Sequence, residues 1–150
     1  MKTISVNKKA YHNYFLSDEL ETGISLLGSE VKSIRNGHIS LAESFVKITS
    51  AGEAFLHNAY IKPYENAGAF VPDSKRARKL LMHKKQILNF KKKAEAEGFT
   101  IVPIKVYINQ DGKVKLQIAL GKGKKLYDKR QAAAEKDAKR QMDRAMKERY

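Results

Sequence analysis

The sequence predicts a mainly β fold, an OB-like closed β-barrel of five or six short strands with peripheral helices and a basic C-terminal tail. Apolar residues alternate with polar ones in several short segments, glycines and prolines separate those segments, and one longer helical pattern interrupts them. A chain of 150 residues fits one compact domain with an appendage. We assign residues 1–126 to the barrel and residues 127–150 to the tail.

The clearest strand signal is a hairpin. In residues 102–108 and 114–120, Val, Ile and Leu alternate with polar residues, and Asn-Gln-Asp-Gly at 109–112 supplies the turn. Pro103 lacks an amide donor, which predicts a sheet edge or a bulge there. One face of the hairpin is predicted to be core. The other face is predicted to be basic and carries Lys105, Tyr107, Lys113, Lys115 and Gln117.

Further strands are predicted at residues 24–27, 44–49 and 54–62, bounded by glycines and a proline. A short helix follows the first of them, with Ser29 as its cap and Gly37 at its end. Its apolar residues, Val31 and Ile34, are predicted to face the core.

A longer helix is predicted over residues 74–96, with Asp73 or Ser74 as its cap and Gly98 as its terminator. The apolar spacing slips near His83, which leaves open whether the helix breaks there. Its predicted inner stripe consists of Leu80, Leu81, Ile87, Leu88 and Ala94.

The C-terminal segment differs in composition from the rest of the chain. Residues 128–150 contain no Leu, Ile, Val or Phe, so they cannot bury enough apolar surface to offset the entropy of ordering them against a core. Alanines, methionines and charged helix formers nevertheless fill the segment. We therefore expect a tail that is disordered when free and helical when bound.

Charge points to a polyanionic partner. The chain has 30 Lys and Arg against 16 Asp and Glu, a net charge of +14. Residues 75–93 contain nine basic side chains and no acidic one, and bound phosphates would relieve their repulsion. Arg76, Arg78 and Lys79 are predicted to lie at a helix start, where phosphate would also offset the macrodipole. The alternative is a solvated helix face.

A second basic segment, residues 121–130, reads GKGKKLYDKR. Its glycines permit close approach to phosphates, its lysines supply charge, and Tyr127 offers a ring on which a base can stack. The alternative is a hinge with solvated charges.

Signals for catalysis are weak. The chain has no cysteine, and its four histidines lie far apart in sequence without a metal-binding spacing. No nucleophile-elbow motif is present. We expect no enzyme, no metal site and no cofactor. The sequence also lacks a secretion signal and a membrane-spanning apolar run, so we expect a cytoplasmic protein.

Five motifs together resemble the SmpB family of SsrA-binding proteins. They are NKKAYHNYF at 7–15, GSEVKSIR at 28–35, RARKLL at 76–81, VPIK at 102–105 and GKGKKLYDKR at 121–130. Their order and spacing match those of the family from about Ile4 to the basic tail.

The resemblance implies a barrel with three helices that acts in trans-translation. Such a protein binds the tRNA-like domain of tmRNA, the SsrA RNA, and delivers it to stalled 70S ribosomes for rescue and tagging of the nascent chain. We expect it to act as a monomer. The resemblance and the basic run at residues 75–93 together imply a set of contacts with the tRNA-like domain. These residues are Asn7, Lys8, Lys9, Glu21, Arg76, Arg78, Lys79, Leu81 and Lys113. Composition alone had favoured a solvated or capping role for Glu21 and a core role for Leu81.

The resemblance also implies a ribosomal contact at the body's C-terminal end, where the chain meets small-subunit RNA in the decoding site. The tail would become helical in the empty mRNA channel. The implied decoding-site residues are Gly123, Lys124, Lys125, Tyr127, Asp128, Lys129 and Arg130.

Two other classes of protein share some of these features. A ribosomal or general single-strand RNA-binding protein would have the same charge and barrel. An RNA-processing enzyme would require a metal-binding carboxylate cluster. A membrane-surface role for the tail is disfavoured, because its apolar stripe consists of Ala and Met without Trp, Phe or Leu.

Overall fold

The computed structural model describes residues 1–64 and 71–124, which form nine strands and three helices. The strands are β1 (Lys2–Val6), β2 (Tyr14–Ile24), β3 (Ile39–Ser40), β4 (Phe45–Ile48), β5 (Ala54–His57), β6 (Tyr60–Ile61), β7 (Arg78–Leu81), β8 (Thr100–Ile108) and β9 (Val114–Gly123). The helices are α1 (Lys8–Asn13), α2 (Gly28–Arg35) and α3 (Lys84–Glu97). The predicted mainly β fold with about three helices is confirmed, whereas the predicted five or six strands are too few.

Seven strands form one antiparallel sheet in the order β1-β8-β9-β2-β7-β5-β4, and β3 pairs with β6 separately. Within residues 1–64 and 71–124, no pairing joins the edge strands β1 and β4, so the hydrogen-bonded ladder has two ends. The longest strands, β2 and β9, come from opposite ends of the described chain and pair in the middle of the sheet.

The predicted hairpin is confirmed as β8 and β9. Asn109 Oδ1 accepts hydrogen bonds from the amides of Asp111 at 3.0 Å and Lys113 at 2.9 Å, and Gly112 takes a φ of +75°. That backbone conformation favours glycine. The register shifts between Pro103 and Lys105, which places Pro103 beside a bulge as predicted.

The predicted helix over residues 74–96 is wrong in its first half. Residues 78–81 form β7, in which buried and exposed residues alternate because the strand is paired between β2 and β5. The helix begins only at Lys84, after a cap at His83, and ends at Gly98, whose φ is +70°. Of the predicted inner stripe, Leu81 and Leu88 are instead 58 % and 63 % exposed.

Strand β2 is longer than predicted and lies earlier in the chain. The predicted strand at residues 24–27 is wrong beyond Ile24, where β2 ends. Helix α2 begins at Gly28 after a cap at Leu27, so Ser29 is not its cap. The Leu27 amide donates to Glu30 at 2.8 Å, which satisfies one amide at the helix start. The predicted strand over residues 54–62 is divided into β5 and β6 by Asn58, whose φ is +65°.

The sheet buries apolar residues on both faces, but unequally. Its inner face, together with Ile34 of α2 and Phe90 of α3, builds the main core. On the outer face a smaller cluster lies beneath α1, where Ala10 packs with Val102, Ile104 and Ala119. Helix α1 therefore covers one end of the outer face.

Residues 65–70 and 125–150 lie outside the described residues, and the predicted tail over residues 127–150 is among them. None of the helices within the two described ranges is long and apolar enough to cross a membrane.

Candidate nucleic-acid interface

The end of the outer face that α1 does not cover is a polar surface, which we call the open face. Because alternate residues of a strand share a face, the strand register defines its members. One row runs across four strands through Tyr107, Lys115, Gly23 and Leu81, which are successive partners. The neighbouring row runs through Lys105, Gln117 and Glu21. Lys79 and Lys113 extend the open face along β7 and beyond the start of β9.

Leu81 is an exposed apolar residue within this polar surface. Its side chain is 58 % exposed and lies over Gly23: a Cβ built at Gly23 would come within 3.1 Å of Leu81 Cβ. The glycine therefore leaves the space that the leucine occupies. A groove of about 650 Å³ passes this point, and its lining includes Glu21, Lys79, Leu81, His83 and Lys115.

Glu21 is the exposed carboxylate of the open face, and its Oε2 accepts a hydrogen bond from the Tyr107 hydroxyl. Tyr107 is only 3 % exposed, and Lys105 Nζ lies 5.6 Å from the centre of its ring. Burial, followed by the hydrogen bond to Glu21, raises the pKa of Tyr107. The tyrosine is therefore a protonated donor at neutral pH.

Lysines give the open face its charge. Lys79 and Lys113 are exposed, and Lys105 and Lys115 are partly exposed. Lys79 has one acidic neighbour, Glu53 at 3.6 Å, but both side chains are about half exposed. Such a surface pair contributes little energy and is readily replaced by contact with phosphate.

Arg76 and Arg78 do not lie at a helix start. Both hold Glu30: Arg76 donates from Nη2 at 2.5 Å, and Arg78 donates from Nε at 2.7 Å. Arg78 is fully buried and also donates to the carbonyls of Ala59 and Ser74. This burial corrects the proposed RNA contact of Arg78, because a guanidinium enclosed in this way cannot reach a phosphate. Arg76 is 30 % exposed.

Glu30 is the buried acidic partner of both arginines. It is 2 % exposed and links α2 to the segment that leads into β7. Burial opposes its ionisation, but hydrogen bonds from Arg76, the Leu27 amide and Arg78 outweigh burial and hold its pKa below the ordinary value. Glu30 is therefore an ionised buried group with two arginine partners.

Asn7, Lys8 and Lys9 lie at the beginning of α1, the helix that covers part of the outer face. Asn7 is 6 % exposed: its Nδ2 donates to the Pro103 carbonyl at 2.9 Å, and its Oδ1 accepts from the Ala10 amide. The side chain therefore caps α1 and ties it to β8. Lys8 is exposed, and Lys9 is ion-paired with Glu43 at 2.6 Å.

The beginning of the proposed decoding-site segment lies beside α1. Gly123 pairs with Tyr14 at the start of β2. Lys124 Nζ donates to the Tyr11 carbonyl at 3.2 Å and lies 5.2 Å from the Phe15 ring centre. The other proposed residues of this segment, Lys125, Tyr127, Asp128, Lys129 and Arg130, lie outside the described residues.

The structure thus brings Glu21, Lys79, Leu81 and Lys113 to one surface and separates them from the other proposed residues. Tyr14, beside Gly123, and Gly23, beside Leu81, lie nine residues apart on β2, or about 30 Å along an extended strand. The sequence pattern predicts Tyr107 on the polar face of the hairpin but indicates no role for it, and no sequence signal points to Gly23. The alternation in β8 was the available signal for Tyr107.

The described part of the chain contains no group of three or more His, Asp or Glu side chains arranged to hold a metal ion. Its buried side-chain nitrogen and oxygen atoms all have hydrogen-bond partners. The open face presents groups that suit binding: lysines for phosphates, a carboxylate held by Tyr107 and an exposed leucine.

The chain is similar to known proteins over most of its length. Residues 4–148 match the family model described as "SmpB protein". The chain is 52 % identical to the SsrA-binding protein of Enterococcus hirae, over 97 % of this chain and 94 % of that protein. It is 47 % identical to that of Caldicellulosiruptor bescii, over 99 % and 92 %. A chain in a solved structure described as "tmRNA-SmpB: a journey to the center of the bacterial ribosome" is 39 % identical, with a TM-score of 0.67, over 79 % of this chain and 82 % of that chain.

Proposed function

Because the chain belongs to the SmpB family, we propose that it is a tmRNA-binding protein of trans-translation, which binds the tRNA-like domain and delivers it to stalled ribosomes. The observation that carries the proposal to particular residues is the open face. There, Glu21, Lys79, Leu81 and Lys113 lie together on adjoining strands.

The composition of the open face suits a folded RNA. Lysines at its surface neutralise phosphates and supply most of the affinity. The exposed Leu81 offers an apolar contact to a ribose or base, and Glu21 accepts a hydrogen bond from an RNA hydroxyl or amino group. Asn7 acts through α1, which it fixes to the sheet, while Lys8 and Lys9 provide charge beside it.

We assign the ribosomal contact to the other end of the molecule. Gly123 and Lys124 lead into the basic segment whose proposed contacts with small-subunit RNA are Lys125, Tyr127, Asp128, Lys129 and Arg130. In this proposal residues 1–126 bind tmRNA, and residues 127–150 enter the empty mRNA channel. The separation of about 30 Å along β2 supports the division, because the two ends can then contact different RNAs.

Three finer features belong to the same proposal. The sheet forms an OB-like barrel that closes by side-chain packing of the edge strand β4 against α3 and the interior strand β8, which line a common groove through Val46, Ala94 and Ile101. The protein acts as a monomer by binding alone, without a catalytic step or a cofactor. Its place of action is the cytoplasm, where ribosomes translate.

The test is a binding competition. A labelled tRNA-like domain is titrated with the full chain, and unlabelled unstructured RNA of equal length is the competitor. We expect the tRNA-like domain to remain bound when the competitor is in excess. If unstructured RNA displaced the labelled RNA as readily as unlabelled tRNA-like domain does, the chain would instead be a general single-strand RNA-binding protein.

A further inference from the structure

We infer that Tyr107 is a positioning residue of the open face: its hydroxyl holds the Glu21 carboxylate in the orientation in which that carboxylate accepts a hydrogen bond from RNA. The inference rests on the proposed tmRNA-binding function and adds a residue to it. Tyr107 is not among the residues that the sequence motifs assign to RNA contact.

The strand register shows how far the tyrosine reaches. Tyr107 pairs with Lys115, and Glu21 lies on β2, the strand beyond. Two strand spacings separate the backbones of β8 and β2, about 10 Å. The Tyr107 side chain therefore extends across β9, between the positions of Lys115 and Gln117, to bring its hydroxyl to Glu21.

Burial makes Tyr107 suitable for this role. The residue is 3 % exposed although it belongs to the outer face, and Lys105 Nζ lies near its ring. A buried ring has few alternative rotamers, so the position of its hydroxyl is fixed before RNA arrives. Glu21, by contrast, is an exposed side chain with three rotatable bonds. If Tyr107 did not hold it, RNA binding would have to bear the entropy cost of ordering it.

The side chains around Glu21 do not compete with Tyr107 for its carboxylate. Gln117 is its register partner, but Gln117 Nε2 donates to Glu19 at 2.9 Å instead. Among the described residues, Glu21 forms no ion pair with a lysine. One hydroxyl donor occupies one lone-pair site, so the carboxylate retains acceptor sites for a ligand.

A carboxylate on a phosphate-binding surface repels phosphate, and a fixed position confines that repulsion to one part of the surface. Held by Tyr107, Glu21 lies in the row of Lys105 and Gln117, and the row that contains Leu81 separates it from Lys79. Tyr107 thereby keeps the carboxylate away from Lys79, where phosphate is neutralised.

The experiment is a double-mutant cycle on the full chain. Binding of the tRNA-like domain is measured for the wild type, Tyr107→Phe, Glu21→Ala and the double variant at several salt concentrations. Tyr60→Phe is the matched control, since it removes a hydroxyl from β6 in the separate two-stranded sheet. Thermal unfolding of each variant is recorded alongside.

We expect Tyr107→Phe to lower affinity about tenfold, as for loss of a hydrogen bond to a charged group, with an unchanged salt slope. In the Glu21→Ala background the same change should have no further effect, whereas Tyr60→Phe should bind like the wild type. Wild-type affinity for Tyr107→Phe would overturn the inference. An equal loss with and without Glu21 would also overturn it, because the tyrosine would then act through something else.

A second variant covers the case in which Tyr107→Phe fails to fold. Glu21→Asp shortens the exposed side chain by one methylene and withdraws the carboxylate from Tyr107. We expect it to lose affinity as Tyr107→Phe does, and wild-type binding by Glu21→Asp would overturn the inference. If the wild type itself does not bind the tRNA-like domain, the proposed function fails; if only the variants behave differently from expectation, the role of Tyr107 alone fails.

Discussion

Gly23 of β2 lies directly opposite Leu81 of β7, and the leucine side chain occupies the space that a side chain at position 23 would need. The exposed leucine therefore depends on the glycine for its position. A side chain at position 23 would therefore shift Leu81 from its place in the groove that it lines.

Gly23→Ala should accordingly weaken RNA binding without unfolding the protein. The added Cβ would lie 3.1 Å from Leu81 Cβ, so the leucine would have to shift by a few tenths of an ångström. We expect about fivefold lower affinity for the tRNA-like domain, which corresponds to about 1 kcal/mol of lost contact. Gly28→Ala is the control, since among the described residues nothing lies within 4 Å of a Cβ there. Equal affinities for the two variants would contradict this role of Gly23.

Glu30→Gln should destabilise the body. It leaves the buried Arg78 without its counter-charge, and loss of one partner of a buried ion pair costs about 3 kcal/mol. Denaturant unfolding at neutral pH measures the change. Glu43→Gln, which removes the acid of the exposed pair with Lys9, is the control and should unfold like the wild type. A Glu30→Gln variant as stable as the wild type would show that the arginines are satisfied without the carboxylate.

The same substitution should alter the pH dependence of unfolding. The pKa of Glu30 is lowered in the folded state, so its stabilisation is fully present above the unfolded-state pKa and is lost as the pH falls through the folded pKa. The difference in unfolding free energy between wild type and Glu30→Gln should therefore be constant above about pH 5 and shrink in more acidic buffer. A difference that grows on acidification would mean that the pKa is raised instead.

Affinity for the tRNA-like domain should fall steeply with salt. If about six phosphates are neutralised, log K should decrease with log salt at a slope of about −4 to −5. Replacing both Lys79 and Lys113 with Ala should reduce that slope by about 1.5. A flat response would mean that phosphate neutralisation does not dominate binding.

Truncation after Leu126 should separate the two proposed activities. Among the described residues, the last members of the two apolar clusters are Leu120 and Ala119, so the shortened chain keeps its core. We expect nearly unchanged affinity for the tRNA-like domain and loss of tagging in a reconstituted translation assay. Unfolding of the truncated chain would show that residues 127–150 stabilise the body.

The sequence predicted β8 and β9 well because their alternation is long and the turn between them is specific. It missed most of β2, where a bulge between Ser17 and Leu20 interrupts the alternation among acidic residues. It assigned β7 to a helix because four residues carry too little periodic signal, and only the flanking strands make them extended.

The binding surface was less accessible to prediction than the fold. The residues alone predict a core position for Leu81 and a solvated or capping role for Glu21; their assignment to RNA contact comes from the family resemblance. The pairing of Glu30 with Arg78 could not be foreseen, because charged residues are usually exposed and these two lie 48 positions apart in sequence.

The strand order also has a consequence for biosynthesis. On the open face, Glu21 of β2 meets Tyr107 of β8 only across β9, the last strand along the part of the chain that the structure describes. Until β9 has emerged from the ribosome, one edge of β2 in a growing chain has no hydrogen-bonding partner. Such a chain lacks a complete open face and therefore cannot bind RNA through it. Completion of nearly the whole body is a precondition for ligand recognition, so prematurely terminated copies of this protein would be inactive.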